Sequence, residues 1–270
     1  MNFGLVIIGD EILSGKRADK HLAKAIELLG ARGLQVAYAD YVGDSPDRIT
    51  DTLRRAFASG DIVFSFGGIG ATPDDHTRQC AARALGAELV LHPQAELLIR
   101  ERMQDVAREQ GVPYEPQRNE NLHRLNMGVF PAGAEIIPNP FNKIPGFSCP
   151  GADGGRVHFV PGFPVMAWPM VEWVLDNQYA HLFKSNAWVE QSVIVFGAME
   201  ATLTPLMERV EREHHPVKVF SLPSVDHPEY GRHIELGVKG DPAGVGPAYA
   251  ALLDGLKGFN VPLGPELVRQ

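Results

Sequence analysis

Apolar and polar positions along the first 90 residues alternate between two patterns. "FGLVII" (3–8) and "DIVFSF" (61–66) are near-continuous apolar runs closed by glycine, as in strands covered on both faces. Between them, Leu22, Ile26 and Leu29 recur at helical spacing, with Gly30 or Gly33 as the stop. "LQVAYADYV" (34–42) reads as a strand. "SPDRITDTLRRAF" then opens with Ser45 as N-cap and Pro46 at the first helical position, and Ile49, Leu53 and Phe57 form one face. "TPDDHTRQCAARALG" predicts a third helix ended by Gly86. Strands alternating with helices imply an α/β fold with a doubly wound, mostly parallel sheet.

The middle of the chain is less regular. Residues 93–110 predict a helix, and a second lies near 118–127. "PAGAEIIPNPFNKIPGFSCPGADGG" is loop-rich with one short strand at 134–138, and "RVHFVPGFP" is a strand running into a Pro-Gly turn before a helix. Near residue 180 the pattern changes. "AWVEQSVIVFG", "VKVFSLPS" and "RHIELGVKG" read as strands, with helices at "AMEATLTPLMERVEREHH" and "DPAGVGPAYAALLDGLKG". This β-α-β-β-α order predicts a second, smaller α+β domain of split-βαβ type. The boundary falls at about 180–187, giving domains 1–180 and 187–270.

Composition narrows the partners. Of 270 residues, 44% are hydrophobic and 21% charged, an ordinary globular balance. A net charge of −8 argues against broad nucleic-acid binding, which leaves a basic footprint. Cys80 and Cys149 are too few and too far apart for a disulfide framework or a zinc cluster, and they suit a reducing, cytoplasmic setting. The N-terminus has no basic region ahead of a long apolar run, and the most apolar stretch carries three prolines and a Glu, so neither a secretory signal nor a membrane span is expected.

Candidate chemistry gathers where strands end, the edge at which open α/β sheets bind ligands. In "GDEILSGK" (9–16), Gly9 leaves the strand and Asp10 and Glu11 follow; Gly9 and Gly15 are too far apart, and Arg17 follows Lys16, so this is not a P-loop. In "FGGIGATPDDHTR" (66–78), Gly67, Gly68 and Gly70 suit positive φ and close approach of a phosphate. Thr72 is expected as N-cap, Pro73 at N1 and Asp75 at N3 of a helix whose free amides favour an anion. Asp74 and Asp75 are equally suited to offsetting the helix dipole. In "VPGFPVM" (160–166), Gly162 sits at a strand-to-helix turn, where a merely rigid turn is the competing explanation. Acids beside a phosphate repel it unless Mg²⁺ intervenes or a donor-rich ring meets the acids while glycines take the phosphate. Lys16, Arg78 and Lys143 are each either a phosphate partner or a solvated surface charge, and His76 is either a ligand of the site or an exposed helix residue.

"GDEILSG", "VGDSPDRI", "FGGIGATPDDHTR", "PNPFNKIPGF" and "VPGFPVMAW", in this order, resemble the molybdopterin-binding fold family of MoaB, Mog and gephyrin-type domains, most closely its CinA-like (competence/damage-inducible protein A) branch. The resemblance covers about residues 3–175, and "SLPS…IELGVKG" is similar to the small domain that follows in CinA-like proteins. It implies a phosphorylated ligand at the carboxyl edge: molybdopterin or its adenylylated form with Mg²⁺ or another divalent metal, or ADP-ribose, which some members hydrolyse. Carried over by position, Gly67, Gly68 and Gly70 bind phosphate and Asp10 and Glu11 sit at the ligand edge; Gly9, Thr72, Thr77, Gly162, Lys16 and Arg78 are the further ligand-binding candidates of these loops. Asp75, Asp10 and Glu11 are the catalytic candidates, and Asp75, Asp74 and Asp10 the metal candidates. Ala71 departs from the proline usual in CinA-like loops. Full-length CinA proteins continue into a deamidase domain that these 270 residues lack, so deamidation is not expected. Three functions are implied: a metal-dependent ADP-ribose pyrophosphatase, a non-catalytic cofactor-binding module, and an assembly protein acting through the small domain. Relatives of this kind imply a homo-oligomer, dimer or trimer.

Overall fold

A computed structural model describes residues 2–183 and 188–269. The chain divides into two compact units between Phe183 and Lys184. The boundary placed at 180–187 lies partly outside the described residues.

The first unit runs β1 (Phe3–Ile8), α1 (Asp10–Leu13), α2 (His21–Gly30), β2 (Val36–Val42), α3 (Pro46–Ala58), β3 (Ile62–Phe66), α4 (Thr77–Leu85), β4 (Leu89–Leu91), α5 (Pro93–Glu109), α6 (Asn119–Arg124), β5 (Val129–Pro131), β6 (Glu135–Ile137), β7 (Gly146–Pro150), β8 (Arg156–Val160) and α7 (Pro164–Gln178). Six strands form one sheet in the order β2-β1-β3-β8-β7-β6. The first four are parallel, and β7 and β6 add an antiparallel margin. β7 adds a second strand to the segment expected to hold only the one at 134–138, and β4 and β5, also unannounced by the sequence pattern, pair as a separate two-stranded ribbon.

Alternation along the buried strands feeds two cores. Leu5, Ile7, Phe64 and Phe66 pack with α2 and α7. Val6, Ile8 and Val63 pack with α3 and α4. Trp168 and Trp173 lie against the first core, as a helix-packing role requires. On α2 the buried face differs from the expected one. His21, Ala25, Leu28 and Leu29 face inward, and Ile26 is 54% exposed. Both stripes have helical spacing, and only the sheet's position selects between them.

Within this core His158 is fully buried. Its Nδ1 meets Ser148 Oγ and its Nε2 meets Tyr179 OH, both at 2.7 Å. Burial, reinforced by Arg156, pushes its pKa down to about 3, so the ring is neutral. Both cysteines are free and buried, and burial pushes the Cys149 thiol up to about 12.

The second unit runs β9 (Val189–Val195), α8 (Glu200–Glu213), β10 (Lys218–His227), β11 (Gly231–Gly240), α9 (Pro242–Leu256) and β12 (Leu263–Arg269). Its antiparallel sheet has the order β10-β11-β9-β12, with α8 and α9 closing its core. β12 extends the expected β-α-β-β-α order by one strand. Pro265 falls where the β12–β9 register shifts, between Leu263 and Glu266. A proline there is tolerated because the strand is at an edge. Among the described residues no helix is long and apolar enough to cross a membrane.

Candidate functional site

Register brings the strand-end loops together. Ile7 pairs with Phe66, Phe66 with Val160 and Ile8 with Val42, so β1, β2, β3 and β8 end side by side. Their loops and the 139–145 segment enclose a cavity of about 460 Å³, within the size range of small-ligand sites.

The 67–75 loop leaves β3 with φ of 98° at Gly67 and 67° at Gly68. A Cβ on Gly67 would lie 2.5 Å from the Ile8 carbonyl oxygen, and one on Gly68 would overlap Thr77 Oγ1. Gly70 lacks the positive φ expected of it. It is bare because the Asp75 carboxylate lies 2.6 Å from where its Cβ would stand. Helix α4 pins the loop's carbonyls from behind. Thr77 Oγ1 donates to Gly67 O (3.0 Å), Thr77 N to Gly68 O (3.0 Å) and Arg78 Nη2 to Gly70 O (2.6 Å). The amides of Gly68, Ile69 and Gly70 find no acceptor among the described residues. Successive amides left in this way form a nest suited to an anion.

Thr77 and Arg78 therefore hold the loop rather than a ligand. Thr77 is fully buried and Arg78 is 4% exposed. Burial lowers the Arg78 pKa, opposed by the nearby Asp75. The expected helix start at Thr72 is also corrected. Asp75 Oδ2 accepts from Thr72 N (2.8 Å) and Thr72 Oγ1 (2.5 Å), and Asp75 N donates to Thr72 O (3.0 Å), closing a separate turn. α4 begins only at Thr77, with half-buried His76 in the N-cap position and no side-chain cap bond. The Thr72–Asp75 contacts that suggested a capping box are real, but Thr77 N is spent on the glycine loop, so no helix continues from them.

The 9–17 loop divides its acids differently. α1 is one helical turn. Asp10 points away from the cavity: its N–H donates to Asp44 Oδ2 (3.0 Å) and its Oδ1 accepts from Asp44 N (3.1 Å). Glu11, Arg17 and Asp44 line the cavity. Lys16 is exposed and outside it. Lys143 is held by Asp105 at 2.7 Å. Burial raises the Asp44 pKa. The Asp10 N–H opposes this, and the carboxylates of Asp10, Glu11 and Asp74 add to it.

The far wall comes from Asn139, Asn142 and Ile144, with Gly162, Phe163 and Met166. The Gly162 carbonyl meets His21 Nε2 at 3.1 Å, and the His21 ring stacks on Phe66 at 4.4 Å. Burial keeps His21 below its usual pKa, with Gly162 and Asp19 opposing. A Cβ on Gly162 would meet Gly67 Cα at 3.5 Å, an ordinary contact.

Of the sequence candidates, Gly9, Glu11, Gly67, Gly68, Gly70, Thr72, Asp74, Asp75 and Gly162 converge on the cavity, whereas Asp10, Lys16, Thr77 and Arg78 do not line it. Arg17, Asp44, Asn139 and Asn142 line it without having been singled out. The motifs "VGDSPDRI" and "PNPFNKIPGF" contain three of them. The residues do not fit a protein-built metal centre. Among those described, no three of His, Cys, Asp and Glu are grouped to hold an ion, and Asp10 and Asp75 are engaged with backbone.

Residues 4–181 match the family described as "Probable molybdopterin binding domain", and the chain belongs to it. Within that family it is a CinA-like protein. It is 33% identical over 183 residues to a CinA-like protein of Anaeromyxobacter sp. (strain K), covering 67% of this chain and 42% of that one. A protein of Pyrobaculum calidifontis is 31% identical over 238 residues, 85% of each chain. Among solved structures, the CinA of Thermoplasma acidophilum superposes with a TM-score of 0.55 at 26% identity, covering 66% of this chain and 98% of that one.

Proposed function

We propose that the cavity binds a small phosphorylated heterocycle, either a pterin phosphate or a nucleotide such as ADP-ribose. The observation that carries this is the meeting of two surfaces in one cavity. The unspent amides of Gly68, Ile69 and Gly70, which suit a phosphate, line the same cavity as the carboxylates of Glu11, Asp44 and Asp74, which suit ring N–H donors. Arg17 supplies a cationic side chain at the rim. The family's description, naming molybdopterin, supports the pterin.

Cleavage of the ADP-ribose pyrophosphate bond is the second reading. It is favoured by the concentration of Glu11, Asp44, Asp74 and Asp75 on one cavity. One experiment addresses both. Wild type and Asp75→Ala are titrated calorimetrically with ADP-ribose and with a pterin monophosphate. AMP release from ADP-ribose is then followed with Mg²⁺, Mn²⁺ and Co²⁺. Binding without AMP release supports the binding protein, with weaker binding in Asp75→Ala because the 72–75 turn loosens. AMP from wild type but not the variant supports the pyrophosphatase. No binding of either probe by folded protein overturns the ligand site.

A further inference from the structure

Asn142 is held in one amide orientation. Its Oδ1 accepts from Ile144 N at 3.0 Å and from Asn139 Nδ2 at 2.8 Å. Asn139 is itself fixed, donating also to Ile144 O at 2.9 Å and accepting from Phe141 N at 3.0 Å, and it is only 5% exposed. A flipped Asn142 amide would set Nδ2 against two donors, so the network allows one orientation. In it, Nδ2 faces Met166 Sδ at 3.2 Å, on a wall of the cavity. A thioether is a weak acceptor, and one sulfur cannot satisfy an amide with two N–H groups.

The chemistry of the walls is therefore divided. Glu11, Asp44, Asp74 and Asp75 present acceptors. Asn142 presents a donor, placed by a network that its own Oδ1 completes. We propose that Asn142 is a specificity-determining residue: its Nδ2 donates to a hydrogen-bond acceptor on the ligand, a ring carbonyl or ring nitrogen. This rests on the ligand-binding reading above. The ligand class that follows is a heterocycle with an acceptor at the Asn142 end and N–H donors at the acidic end. Pterins and purines that carry an exocyclic amine together with a ring-carbonyl or ring-nitrogen acceptor meet this pattern.

Asn142→Asp tests the proposal cleanly. The aspartate keeps an oxygen for Ile144 N and Asn139 Nδ2, so the loop keeps its anchors, and only the donor is lost. ADP-ribose and a pterin monophosphate are titrated into wild type and variant at about 0.15 M and about 1 M salt, with thermal melting as a control for folding. The expected result is an affinity loss of at least about tenfold for the probe that wild type binds, persisting at high salt. A loss that disappears at high salt is charge repulsion and overturns the donor role, as does unchanged affinity. Asn142→Leu, which adds no charge, is expected to show a similar loss. If wild type binds neither probe, the ligand-binding reading falls and this inference falls with it. Wild-type binding unaffected by both substitutions removes this inference alone.

Discussion

The loops after β1 and β3 begin alike in sequence, with glycine at the strand end and an acidic pair close behind, yet they become different instruments. After β1 the chain turns at once into α1, and most of its amides are consumed locally: Leu13 N donates to Gly9 O, Ser14 N to Asp10 O and Arg17 N to Glu11 O. After β3, the amides of Gly68, Ile69 and Gly70 have no acceptor among the described residues, while Thr77 and Arg78 hold the loop's carbonyls. Each loop spends one acid on backbone, Asp10 on Asp44 and Asp75 on Thr72. The β1 loop is left offering carboxylate, and the β3 loop offers amides beside the Asp74 carboxylate. An acidic pair beside glycine thus does not define a ligand contact; which acid is free depends on what the neighbouring backbone needs.

The sharpest way to break this comparison is to add a methyl group to each loop. Gly67→Ala is expected to cost about 3–4 kcal/mol, because positive φ and the immovable Ile8 carbonyl act together. Gly15→Ala has φ of 72° but open space around its Cβ, so about 1–2 kcal/mol is expected. Urea denaturation of both variants measures the difference, and equal costs would show that the β3 loop is not held as described. Thr77→Val should come next, at about 1–3 kcal/mol, since it removes a donor from a buried carbonyl at constant shape. A variant as stable as wild type would mean that α4 does not pin the loop.

The smallest expected effect concerns the acidic side. Asp44 has a raised pKa, so the folded chain holds its proton to higher pH than the unfolded chain does. Stability therefore falls as pH rises from the ordinary value of 3.8 through the raised folded value, and the loss persists above it. Asp44→Asn keeps an oxygen for the Asp10 N–H and removes the charge. It should be slightly more stable than wild type at neutral pH, with the advantage vanishing below the window. The difference between the two proteins is the quantity to measure, because neutral His158 separately lowers stability as pH falls from 6.5 towards about 3. An advantage that is independent of pH would show that Asp44 is not crowded by its neighbours.

Much of the fold was legible because its signals are local. Unbroken apolar runs marked β1 and β3, and prolines at first helical positions marked α3 and α7. β12 was hidden because proline and glycine mask an edge strand whose partner, β9, lies about 70 residues earlier in the chain. At the site, the glycines at 67 and 68 could be read directly, since positive φ leaves few other choices. The roles of Thr77 and Arg78 could not, since a buried arginine on a carbonyl and an exposed arginine on a phosphate have the same letter in the sequence.

By itself, the sequence determined the α/β alternation, the change of pattern near residue 180, the bare loop after β3 and the carboxyl edge as the place where the unusual loops gather. Periodicity, turn chemistry and glycine's lack of Cβ act over a few residues, and so they are written in consecutive letters. The tertiary structure alone decided that Asp44, Asn139 and Asn142 share one cavity with the glycine loop, that Asp10 is left out of its lining, and that Asn142 presents its Nδ2 rather than its Oδ1. Those outcomes depend on parallel register and on hydrogen bonds between segments far apart in the chain, where each donor's partner is fixed only once the strands have paired.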